Sequence, residues 1–154
     1  MTPGGVLLFT LALAASVPSA HAQHRLVSDP AESAQPVALT ILKHLAAGEL
    51  EPAAALSNAP ERRLEVLSEY RRSVGDEEFK RVFGRYFAPE NRILMEAAIG
   101  RRRLVIWDLG EAGHQLAGQY FVEVNGRFVM DDVPSAERSE LQRVLEAERR
   151  KPRN

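Results

Sequence analysis

Between Pro36 and Pro89 apolar residues recur every three or four positions, and from Ile93 onward they alternate with polar ones. The first spacing lays a stripe along a helix, and the second fills one face of a strand. Val37, Ile41 and Leu45, with Ala38 and Leu42 beside them, form such a stripe. Pro36 suits its first turn, after Ser33 or Ala34, and Gly48 suits its end. Pro52 opens a short second helix through Leu56. Asn58 and Pro60 start a third, with Leu64, Leu67, Tyr70 and Val74 facing inward and Gly75 closing it. Asp76 caps a fourth that carries Phe79, Val82, Phe83 and Tyr86, and Pro89 stops it.

The alternating part reads as four strands. Ile93, Met95, Ala97 and Ile99 alternate with Arg92, Leu94, Glu96 and Ala98, and Gly100 marks a turn. Val105, Trp107 and Leu109 alternate with Leu104, Ile106 and Asp108. Residues 110–114 form a loop, and a third strand runs from about Gln115 to Val124. Asn125-Gly126 is the strongest local signal, because a two-residue type I′ hairpin needs positive φ at both positions. That turn pairs Val124 with Arg127, Val122 with Val129 and Tyr120 with Asp131. On the other face it sets Glu123 against Phe128, Phe121 against Met130 and Gln119 against Asp132. Pro134 ends the last strand, and Ser135 caps a final helix striped by Leu141, Val144 and Leu145. Arg149, Arg150 and Lys151 complement the dipole at its C-terminus. The fold class expected is α+β: N-terminal helices on one face of a four-stranded antiparallel meander, followed by a C-terminal helix. It forms a single domain over residues 35–150, with a basic tail at 151–154.

Residues 1–22 read as an address. Val6 to Val17 is apolar apart from Thr10 and Ser16. As a helix it would be about 18 Å long, too short for a hydrocarbon core of about 30 Å. Pro18 breaks it, and Ala20-His21-Ala22 offers the small-x-small pattern of a signal peptidase site. Cleavage after Ala22 leaves Gln23 first. No Lys or Arg precedes the apolar run, so either the α-amino group supplies the positive end or the start lies upstream. Residues 23–34 lack periodicity and read as a flexible lead-in. The expected localisation is periplasmic or secreted.

Composition narrows the chemistry. The chain has 154 residues, a one-domain length, and 45% hydrophobic residues. Its cysteine count is zero, which excludes a lipoprotein anchor, thiol catalysis and thiolate metal sites. The formal net charge of −1 argues against a polyanion binder. Arg101-Arg102-Arg103 and the tail are basic, but aromatic residues do not interleave with them as base stacking requires, so no nucleic acid is expected.

Three stretches resemble the NTF2-like, cone-shaped α+β superfamily, in particular its small periplasmic members. They are Ala38 to Ala54 (a helix, Gly48-Glu49 and a second short helix), Arg103 to Leu109 as a central strand, and Tyr120 to Val133 with its Asn-Gly hairpin. The resemblance covers about residues 35–133, and a helix after the last strand departs from it. It implies a concave sheet with a pocket beneath the helices. It transfers no activity, because that architecture hosts both enzymes and binding modules.

Candidate chemistry is sparse. His24, His44 and His114 are not at ligand spacing, so no metal is expected, and no cofactor motif occurs. No nucleophile elbow is present. The candidate pocket is Trp107, Asp108, Tyr120 and Asp131. A pocket carboxylate with a raised pKa beside a tyrosine donor could abstract a proton next to a carbonyl, as isomerases and dehydratases of the resembled superfamily do. The plainer reading makes Trp107 and Tyr120 core residues and the aspartates solvated strand ends, since burying one tryptophan contributes about 2–3 kcal/mol. The preferred expectation is an exported, non-enzymatic module that binds a small molecule or an envelope protein. The alternatives are a lyase or isomerase using Asp131 or Asp108 with Tyr120, and a structural protein that forms a homodimer or larger assembly through its sheet.

Overall fold

The structure is a computed structural model, and it describes residues 23–110 and 115–153. The expected export segment with its expected cleavage point at Ala22, and His114, lie outside the described residues. The chain is α+β, as its periodicity predicts. Among the described residues four α-helices precede the meander: α1 (Gln35–Ala46), α2 (Leu50–Ala54), α3 (Pro60–Val74) and α4 (Asp76–Gly84). A meander follows: β2 (Asn91–Ile99), β3 (Arg102–Leu109), β4 (Gln115–Val124) and β5 (Arg127–Met130), and then α5 (Ala136–Arg150). Helix α2 starts two residues before Pro52, because Leu50 is buried and proline is tolerated in a first turn, whose N–H groups have no helical partner.

The sheet has five strands, not four. Arg25–Leu26 forms β1, antiparallel to β2, and the order is β1-β2-β3-β4-β5. The segment expected as a flexible lead-in is therefore tied down. Val27 N–H donates to the Glu96 carbonyl at 2.9 Å, and a 3₁₀ turn at Pro30–Glu32 is capped by Asp29, whose Oδ1 accepts from Ala31 N. The buried Glu96 carboxylate then accepts from Ala34 N at 2.7 Å and Ser33 Oγ at 2.6 Å. One sheet carboxylate thus fixes where α1 begins.

The hairpin has the expected register, with Val124 opposite Arg127 and Phe121 opposite Met130. Asn125 and Gly126 take the positive φ values that a type I′ turn requires. Strand β2 departs from simple alternation. Ile93 pairs with Trp107 but Met95 pairs with Ile106, so a bulge at Leu94 swaps the faces. Ile93 therefore packs with the helical layer and Met95 with α5.

The helices also cover two faces rather than one. Helices α1–α4 pack on the face that presents Val105, Trp107, Leu109 and Phe121. Helix α5 seals the reverse face, where Leu141 and Leu145 meet Leu104, Ile106, Leu116 and Ala97. Strand β3 is apolar on both sides for this reason. Gly118 permits the close approach of α5: a Cβ there would lie 2.6 Å from Leu145 Cδ2 and 3.0 Å from Leu104 Cδ1.

Candidate functional site

Strand β5 is short, and this opens the sheet edge. It pairs with β4 only over residues 121–124. Beyond that the chain gives one more bond, Asp131 N to the Tyr120 carbonyl at 2.8 Å. The segment Leu56–Asn58 borders β5 instead, with Met130 N donating to Leu56 O and Asn58 N to Met130 O. Residues 118–120 of β4 are left without a strand neighbour on that side. A cavity of about 330 Å³ lies there, at the lower end of the range for small-molecule sites.

Its lining comes from both faces of β4. Ile41, Leu42 and Leu45 of α1, with Ala53 and Leu67, supply a buried apolar wall. Phe83, Tyr86 and Met130 continue it. The polar groups are Arg63, Gln119, Tyr120, Asp131 and Arg138. Helical spacing along α1 and the α3 stripe set the apolar wall, whereas the polar groups converge from α3, β4, the end of β5 and the first turn of α5.

Most of the charges around this opening are paired. Asp131 is buried, and its Oδ1 accepts from Asn58 Nδ2 at 2.9 Å and its Oδ2 from Arg102 Nη1 at 2.6 Å. Asp132 accepts from Ser57 Oγ at 2.5 Å and from Arg63 Nε at 2.9 Å, and Arg63 Nη2 bonds its second oxygen. Burial pushes the Asp132 carboxyl up, but the bonds from Arg63 and Ser57 outweigh it and hold the carboxyl below its ordinary value. Arg138 is different. Its guanidinium stacks over the Tyr120 ring at 5.1 Å, its Nε is buried without an acceptor, and among the described residues no carboxylate stands within ion-pair distance. Burial raises the Tyr120 phenol, which therefore stays protonated at neutral pH.

The four expected pocket residues separate. Tyr120 and Asp131 line the cavity. Trp107 does not; it is core, one layer behind, with Nε1 donating to Gln119 Oε1 at 2.8 Å and the Tyr86 ring edge-on at 5.2 Å. Asp108 alternates onto the α5 side of β3, where Arg92 Nη2 is 3.9 Å away and Oδ1 is buried without a partner. Sequence reasoning missed Arg63, Arg102 and Arg138. One signal was available for Arg138: it occupies the first turn of a capped helix, where the dipole favours acids.

A second depression, about 390 Å³, lies beside the N-terminal segment and includes Ser28, Pro30, Gln35 and Glu96. Its carboxylate is occupied in holding the start of α1, which leaves it little polar chemistry for a ligand. Among the described residues no group of three His, Asp or Glu side chains is placed to hold a metal, and no helix is long and apolar enough to cross a membrane. Comparison of the chain with protein-family profiles, with curated proteins and with solved structures gives no significant match.

Proposed function

We propose that this chain is an exported, non-enzymatic binding module of the cone-shaped α+β kind, whose cavity at the β4 edge takes a small, largely apolar molecule. The observation that carries the reading is the cavity itself: an apolar wall from α1, α2 and α3 with a few convergent polar groups, the composition of a ligand site. Export is supported by the apolar run and the Ala20-His21-Ala22 pattern. The lyase or isomerase alternative needs a free carboxylate near Tyr120. Both oxygens of Asp131 are engaged by Asn58 and Arg102, and Asp108 stands on the other side of β3, so the binding reading is preferred.

Trp107 offers the test. It is the single tryptophan, and it bonds Gln119, which lines the cavity. Titrating 1-octanol into the purified full chain should change Trp107 emission saturably and raise the thermal midpoint by ligand linkage. A linear or absent response up to the solubility limit of the alcohol would refute the binding reading.

A further inference from the structure

The guanidinium groups around the cavity are unevenly paired. Of the guanidinium groups around its opening, Arg63 is held by Asp132 and Arg102 by Asp131, with Glu137 a further 3.8 Å from Arg102 Nε. Arg138 alone has no ion-pair partner among the described residues. Asp132 feels its charge, but that carboxylate is already engaged by Arg63 and Ser57. Two further features make the placement of Arg138 costly. A buried N–H without an acceptor loses the solvation it had in the unfolded chain, and a cation in the first turn of α5 opposes the helix dipole. The stack on Tyr120 offsets part of this through cation–π attraction. An anion in the cavity would offset part of the remainder by neutralising the surplus charge.

We infer that the ligand is an amphipathic monoanion, a carboxylate on a short apolar body. Its head group is held by Arg138, with the Tyr120 hydroxyl as a second donor, and its body lies against Leu45 and Leu67. This deepens the binding proposal and rests on it. A guanidinium matches a carboxylate in two parallel N–H···O bonds, which a hydroxyl cannot accept in the same way. The Tyr120 hydroxyl makes no hydrogen bond to the described residues, so it remains available to the ligand.

The experiment is calorimetric titration of the full chain with three probes of one body length: sodium octanoate, 1-octanol and octylammonium. Octanoate is expected to bind about tenfold or more tighter than octanol, as hydrogen bonds to a charged group imply, and octylammonium most weakly. Arg138→Met should reduce octanoate affinity to the octanol level while leaving octanol unchanged, and Arg138→Lys should restore part of the difference. Tyr120→Phe, which keeps the ring under Arg138, gives a second reading if the Arg138 variants fail to fold, and it should weaken octanoate severalfold but not octanol. Equal binding of octanoate and octanol would overturn the anion preference and leave the apolar site standing. A preference for octylammonium, or an unchanged octanoate affinity in Arg138→Met, would overturn it as well. Binding of none of the three would overturn both proposals.

Discussion

Replacing Glu96 with alanine tests how the N-terminal segment and α1 are attached to the sheet. The residue is 2% exposed and serves three donors: the Ala34 amide, the Ser33 hydroxyl and, at a longer 3.4 Å, Gln35 Nε2. Truncation leaves the Ala34 N–H buried without an acceptor, which costs about 1–3 kcal/mol. Loss of the one buried methylene, Cγ, adds about 0.8 kcal/mol. Against this, the variant no longer desolvates a carboxylate, and the half-buried Ser33 hydroxyl can turn to water. The net expectation is a loss of about 2–3 kcal/mol, or roughly 4–12 °C in melting midpoint for a chain of this size. Urea denaturation gives the free energy. Amide exchange localises it, because Ala34 and Val27 should lose protection before the β3 and β4 amides do. Glu96→Gln keeps one carbonyl acceptor for Ala34 and should lose less than half as much. A loss below about 0.5 kcal/mol in Glu96→Ala, with Ala34 protection unchanged, would refute the assignment of Glu96 as the anchor of α1.

Asp132 makes stability pH-dependent. Its folded carboxyl lies below its ordinary value of 3.8, so its contribution is complete above that value and fades as pH falls through the lower folded one. Asp132→Asn should therefore cost about 2 kcal/mol at pH 7, and the gap in urea stability between the two proteins should close below about pH 4. Gly118→Val should lose about 1–3 kcal/mol by overpacking against Leu145, and pairing it with Leu145→Ala should cost less than the sum of the two. Mass spectrometry of the protein recovered from the envelope of expressing cells should show Gln23 first; an intact Met1 would contradict export by cleavage.

The helices, the central strands and the hairpin are legible because each carries a pattern longer than its errors. Val37-Ile41-Leu45 marks α1, and Asn125-Gly126 fixes the β4–β5 register. Strand β1 is not legible, since two residues cannot show alternation and Arg25–Leu26 is placed by the open edge of β2 rather than by its own sequence. The bulge at Leu94 is hidden for a similar reason: Ile93, Leu94 and Met95 are all apolar, so nothing in their order says where the face changes. The side on which α5 packs is written in the chain. Leu104, Val105, Ile106 and Trp107 are apolar at both parities, and a strand of that kind needs cover on both faces. The cavity is the least legible feature. Its polar groups at positions 63, 119, 120, 131 and 138 meet only through the strand order and the early end of β5.

The most direct measurement is an isotope-filtered NOE experiment on the full chain with bound octanoate. Contacts are expected from the alkyl protons to the methyl groups of Ile41, Leu45 and Leu67. Contacts instead to Leu26, Leu94 and Met95, at the far edge of the sheet, or none at saturating octanoate, would contradict a binding site between the helical layer and β4.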